Sequence, residues 1–178
     1  MQTAYKGERI TIAKYVAFSK KAEEEGFQKT SLLHNVFSAS QNIRYINHKA
    51  VIEDAGDTVS NAKPKYLVKP TPENLENDIK GEACEVNFRY PDFLKTTEIA
   101  DNQIALLSFY YVMNTEQKHK FAFEQALIDM KSNTLKSIPS KYFVCTSYGH
   151  TYTKASKHRD FSLAHRYKFI VIELTYNT

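Results

Sequence analysis

The stretch FYYVMNTEQKHKFAFEQA, residues 109–126, decides the reading of this sequence. Phe109, Val112, Glu116, His119, Phe123 and Ala126 recur at steps of three and four, so they fall on one stripe of a helix. A carboxylate and an imidazole therefore stand in line with an apolar face, where a buried charge needs a partner or a metal ion. Glu-x-x-His on opposing helices is how carboxylate-rich bundles hold pairs of iron or manganese ions. One such pair is weak evidence, because the same spacing is common on solvated helix faces; its place on an apolar stripe gives it weight.

Working outward, the sequence predicts three more long helices. The segment 3–25 contains no proline, and Glu8, Ile12, Tyr15, Ser19 and Ala22 share a face. Gly26 closes it as a C-terminal cap would. The next helix spans 28–54, with His34, Phe37, Gln41, Arg44, His48 and Val51 on one stripe and Gly56 at its end. Residues 57–70 carry Pro64 and Pro70 and no helical period, so they read as a long connection, with a short extended piece at Tyr66, Leu67 and Val68. Thr71-Pro72-Glu73-Asn74 then starts a helix, with Thr71 as its cap. That helix runs to about Thr97, kinked by Pro91, and the last runs over 102–131. Two helices, a long crossover and two more helices define an all-α, ferritin-like four-helix bundle. After Pro139 the texture turns β-branched and aromatic, and 141–146 and 167–174 read as strands. The division expected is a bundle over 1–135 and a small β-rich appendage over 136–178.

The two halves of the bundle resemble each other at an offset of 75 residues. Tyr15 falls on Tyr90, Phe18 on Phe93, Gln41 on Glu116 and Arg44 on His119. Gly7-Glu8 falls on Gly81-Glu82, one residue short of that offset. An extra residue in the third helix accounts for the slip, and a π-bulge is the usual way to carry one near a functional site.

Composition fits a soluble, mostly helical protein. The 178 residues are 42% hydrophobic and 25% charged, with five glycines and five prolines. The net charge of +4 is spread without a basic block, which argues against a nucleic-acid partner. The first residues form no apolar leader and no run is long enough to span a bilayer, so no membrane role and a cytoplasmic location are expected. Cys84 and Cys145 are too few for a stapled scaffold. Cys84 reads as an inert buried thiol, and His34 and His48 as satisfied structural histidines. His150, His158 and His165 match no zinc spacing.

Residues 21–27 (KAEEEGF), 71–75 (TPENL), 81–85 (GEACE) and 90–93 (YPDF) make the sequence similar to rubrerythrins, over about 5–130. The resemblance implies a di-iron site that reduces hydrogen peroxide, with Glu8, Glu82, Glu85, Glu116 and His119 as metal ligands. It implies catalytic hydrogen-bonding roles for Tyr15 and Tyr90. Where the family has its other Glu-x-x-His, this chain reads Gln41-Asn42-Ile43-Arg44. A neutral amide is a poor bridge, and a guanidinium stays protonated and cannot ligate. The tail follows a rubredoxin-like turn at Cys145, but Tyr148 stands where a second Cys belongs, and Phe161, Ser162, Leu163 and Ala164 stand where the other pair would be. No rubredoxin-type iron is therefore expected.

These departures leave several readings. In one, the site is metal-free and Arg44 neutralises Glu8 and Glu85. In another, Glu82, Glu116 and His119 hold a single metal ion. The first two readings imply weak or no peroxide reduction; a fuller one is an active oxidoreductase on the remaining ligands, with one or two iron ions and an unidentified electron donor. A last one is a structural or partner-binding bundle, with Tyr142, Phe143, Tyr148 and Tyr152 as tail aromatics that otherwise form a small core. The family habit of association and the long crossover predict a homodimer.

Overall fold

The computed structural model describes residues 1–60, 63–132, 138–154 and 168–174. Helices α1 (Gln2–Glu24) and α2 (Gln28–Asp54) form one hairpin. The second hairpin pairs α5 (Gln103–Lys131) with a composite helix: α3 (Thr71–Cys84), a π-helical turn (Glu85–Arg89) and α4 (Tyr90–Ile99). The one-residue slip in the internal repeat thus has a physical body. The Tyr90 N–H reaches back to the Glu85 carbonyl, five residues earlier, and the wider turn ends just where Pro91 has no N–H to give.

The helix ends follow local rules with one exception. Gly26 and Gly56 take positive φ of 82° and 79° beyond α1 and α2, the backbone state glycine adopts without a Cβ penalty. Asn102 caps α5 by accepting from the Ala105 N–H at 2.9 Å. Thr71 does not cap α3. The helix begins one residue earlier than expected, its cap position is Pro70, and the Thr71 N–H is taken by the Glu25 carboxylate at 2.8 Å. That bond ties the end of α1 to the start of α3 and uses the donor a cap would have left open.

Two apolar clusters fill the bundle. One gathers Tyr15, Leu32, Leu33, Val36, Phe37, Leu75, Phe123 and Ala126 with Ile138, Tyr142 and Val144 of the tail. The other gathers Ala4, Tyr90, Ala105, Phe109 and Val112. Along α5, Glu116 and His119 lie between Val112 of one cluster and Phe123 of the other. Both are buried, so the polar site is walled at each end by hydrophobic packing. No helix among the described residues is long and apolar enough to cross a membrane.

The crossover runs without regular structure through its described residues, and Tyr66, Leu67 and Val68 are exposed with no strand partner. Gln2 pins its start, donating to the Thr58 carbonyl at 2.8 Å.

The tail forms an antiparallel sheet in the order β2 (Thr151–Tyr152), β1 (Lys141–Cys145), β3 (Phe169–Glu173). Phe143 faces Tyr152 on one side and Val171 on the other. The sequence pointed to the two outer segments of chain but not to β2. Residues 161–164, His158 and His165 lie outside the described residues. The sheet packs on α2, and its turn is fitted closely there. Gly149, at φ 74°, accepts a hydrogen bond from Ser40 Oγ. A Cβ on Gly149 would stand 2.6 Å from the Ser40 carbonyl, so no side chain fits. Tyr142 enters the bundle core and the Tyr148 ring lies 4.5 Å from that of Tyr111, so these tail aromatics act in packing.

His150, in the same turn, is buried against α5. The Thr115 hydroxyl donates to the Tyr111 carbonyl at 2.9 Å and so is left to accept from His150 Nδ1 at 2.7 Å. Burial, aided by the charges of Lys118 and Arg44, pushes His150 down to about 4 from its ordinary 6.5. The folded-state value is depressed, so between these limits the unfolded chain binds the extra proton. Stability should therefore fall as pH drops from about 6.5 to 4, by about 2–4 kcal/mol from this group. The difference in unfolding free energy between wild type and His150→Gln, followed across that window, should show the slope; a constant difference would refute it.

Candidate metal centre

Each half of the bundle sends a glutamate and a tyrosine into the middle, and the pairs cross. Tyr15 on α1 donates to Glu82 on α3. Its repeat equivalent Tyr90 on α4 donates to Glu8 on α1 at 3.1 Å. The duplicated faces therefore meet, with each tyrosine orienting the other half's carboxylate.

Glu82, Glu116 and His119 each place a ligand atom within 4.8 Å of the others, and all three are buried. Glu82 Oε2, Glu116 Oε2 and both His119 ring nitrogens lack hydrogen-bond partners. His119 Nδ1 lies 3.0 Å from Glu116 Oε2 without hydrogen-bond alignment. Its ring stacks on Phe37 at 3.8 Å between centroids, which fixes the plane in which its nitrogens point. Burial lowers the His119 pKa against the pull of Glu116, so the imidazole is neutral and offers a lone pair. Buried atoms that accept nothing from the protein, in a set of two carboxylates and one imidazole, are the donor set of a divalent transition metal.

The other half of the centre is occupied by a side chain. Arg44 is 1% exposed. Its Nε lies 3.2 Å from Glu8 Oε1, its Nη2 2.7 Å from Glu116 Oε1 and its Nη1 3.3 Å from Ser40 Oγ. Gln41, one turn earlier, donates to the same Glu116 oxygen at 3.3 Å. Burial alone would raise the Glu116 carboxyl, but the Arg44 charge, with the His119 ring beside it, outweighs burial and holds it at about 2. Glu82 has no such cation beside it, and burial together with the Glu116 charge pushes it well up. The guanidinium thus sits where its repeat equivalent His119 sits in the other half, and supplies a fixed positive charge there.

The structure corrects several expectations. Arg44 pairs with Glu8 as expected, but its second partner is Glu116 and not Glu85. Glu85 sits in the π-turn, whose wider path turns it toward the rim, where it pairs with Arg89 at 2.6 Å. Burial and the Glu116 charge still raise it to about 7. Cys84 is exposed and inert burial does not describe it; its side chain lines the cavity over the site. His34 is satisfied by the Thr30 carbonyl and by Asp78, itself 2.9 Å from Lys14 Nζ. His48 is not satisfied. Both its nitrogens lack hydrogen-bond partners, and Nε2 lies 3.7 Å from Glu8 Oε1. Ser40 and Thr115, which link Arg44 and the helix of Glu116 to the tail turn, carried no sequence signal beyond their positions one turn before Arg44 and one residue before Glu116.

A cavity of about 200 Å³ opens over the site between α1 and the π-turn. Gly7, Gly81, Glu8, Glu82 and Glu116 are among the residues that line it.

A buried carboxylate–histidine set inside a crossed pair of helical hairpins defines the chain as a ferritin-like bundle protein with a metal-site architecture. No protein-family model matches the sequence. Rubrerythrin-2 of Clostridium acetobutylicum is 27% identical over 152 residues, covering 85% of this chain and 82% of that protein. Nigerythrin has the same fold in its fully reduced, all-ferrous state (TM-score 0.72, 23% identity) and its mixed-valent state (TM-score 0.76, 22% identity). Each match covers 85% of this chain and 73% of nigerythrin. The chain is thus similar in sequence to a rubrerythrin and shares the fold of nigerythrin.

Proposed function

We propose that this chain is a rubrerythrin-family protein with one working metal position, held by Glu82, Glu116 and His119, and with Arg44 in place of the second metal. The single observation that carries this reading is the placement of Arg44 between Glu8 and Glu116 while the Glu82, Glu116 and His119 donor atoms stay unsatisfied. The family is one of di-iron oxidoreductases, and all-ferrous nigerythrin makes iron the metal of choice. A full pair of ions does not fit, because a permanent cation already neutralises two of the carboxylates a second ion would need. A single ion fits.

When bound, that metal would supply a redox-active Lewis acid open to the cavity. The protein's own groups set its surroundings. Tyr15 holds the Glu82 carboxylate, Phe37 holds the His119 ring, and Gln41 and Arg44 fix the Glu116 oxygen that faces away from His119. With one metal, the paired two-electron reduction of peroxide is lost as a fast cycle, so slow reaction or none is the expected activity.

Metal analysis after anaerobic iron(II) loading should give about one iron per chain in wild type. Glu82→Gln and His119→Ala should each reduce it at least tenfold, the scale of a lost ligand. Two irons per chain in wild type, or undiminished iron in both variants, would overturn the reading.

A further inference from the structure

Between α1 and α2, outside the donor set, two phenols meet. Tyr5 on α1 and Tyr45 on α2 place their hydroxyl oxygens 2.6 Å apart. Their ring centroids lie 4.5 Å apart with planes at 22°. Tyr5 is buried and Tyr45 half-buried. Tyr5 stands one helical turn before Glu8, and Tyr45 follows Arg44 directly. The pair is therefore anchored to the same two helix segments that carry the Arg44–Glu8 bridge.

We propose that Tyr5 and Tyr45 are a built-in reductant for hydrogen peroxide, coupling to each other as a dityrosine cross-link between α1 and α2. The geometry suits the reaction. Coupling joins the ring carbons next to the two hydroxyls, and phenols held oxygen to oxygen in near-parallel planes bring those carbons to the shared edge. The step balances without any other reductant. Each tyrosine gives up one electron and one proton, and one carbon–carbon bond forms. The O–O bond of peroxide breaks, and its two oxygens take up the two electrons and two protons as water. This inference rests on the single-metal reading, because a lone redox metal moves electrons one at a time and the pair can supply them one at a time. The two cysteines of the 178 residues are too few for a four-thiolate iron relay. The tyrosine pair is an oxidisable group carried on the helix segments of Glu8 and Arg44, and its two phenols touch each other. The reaction occurs once per chain and staples the first hairpin.

The test treats iron(II)-loaded wild type with one equivalent of hydrogen peroxide and digests it with trypsin. Peptides 1–6 and 45–49 should appear joined, with loss of two hydrogen atoms and dityrosine fluorescence. Tyr5→Phe and Tyr45→Phe should each abolish the product, and Tyr110→Phe should leave it unchanged. Two controls separate the pair from the metal. Light-driven oxidation with a ruthenium trisbipyridine complex and persulfate needs no bound iron, and should give the same joined peptides. The iron content of each sample reports the metal reading on its own. Failure of the light-driven coupling in iron-loaded protein overturns the proposal and leaves the metal reading standing. Light-driven coupling without any peroxide-driven product overturns the proposal in iron-loaded protein, and overturns both readings if no iron is bound. Joining through Tyr111 and Tyr148 instead would also overturn it.

Discussion

Replacing Arg44 by Ala in the metal-free protein should lower its stability by about 3–5 kcal/mol, the usual cost of removing one partner from a buried ion pair. For a chain of this length that corresponds to a fall in Tm on the order of 10 °C. The cost comes less from lost attraction than from what remains. Glu8 and Glu116 would stay buried at 3% and 2% exposure, with only the imidazoles of His48 and His119 near them. Arg44→Lys should recover only part of the loss, since an ammonium cannot make the forked contacts to Glu8, Glu116 and Ser40. The sign with pH follows from Glu116. Its folded value of about 2 lies below the ordinary 4.5, so its share of stability is fully present above about 4.5 and fades as pH falls toward 2. Wild type and Arg44→Ala should therefore converge in strong acid. A loss under 1 kcal/mol at neutral pH, measured by urea unfolding, would mean that the guanidinium is not what balances the acids.

Arg44 also shows how far the sequence could be read. Its inward direction followed from the repeat, because it occupies the position of His119 in the other half, and helical phase leaves no other face. Which acid it meets did not follow. A duplicated hairpin fixes the stripes but not the rotation of the third helix after an inserted residue. The π-turn moves Glu85 off the central line to Arg89, and Glu116 takes its place. The slip that betrayed the insertion could locate it only to the segment between Glu82 and Tyr90. Short-range chemistry was legible where it depends on the chain alone, as at Gly26 and Gly56. It failed where a distant group intervenes. Thr71 reads as a cap until Glu25, from another helix, takes its N–H. Cys84 reads as buried because it sits between two site positions, yet successive helical residues point about 100° apart and it is exposed at the cavity. The tail was legible as strands from its β-branched runs, but β2 is only two residues long and leaves no period to find.

The double substitution Gln41→Glu with Arg44→His should do the reverse of removing Arg44: it should raise iron from about one to about two per chain and speed peroxide consumption at least tenfold. Each change alone should fail, for different reasons. Gln41→Glu adds a carboxylate beside Glu116 Oε1, where Gln41 Nε2 now donates at 3.3 Å, while Arg44 still holds that oxygen. The new acid gains the guanidinium as partner, which makes the second position harder for a metal to enter. Arg44→His removes the permanent cation and supplies an imidazole, but leaves a neutral amide where a bridging carboxylate is needed. Only together do they recreate, on α2, the carboxylate–imidazole spacing that Glu116 and His119 have on α5. Glu8, with one oxygen unsatisfied and its other held by Tyr90, is already placed to join them. The two substitutions should thus be strongly non-additive, the mark of residues that act as a unit. Two readouts decide the matter. Iron per chain tests the ligand set, and peroxide turnover tests whether a second ion restores paired electron transfer. An unchanged iron content in the double variant, with the fold intact, would show that something other than Arg44 and Gln41 closes the second position.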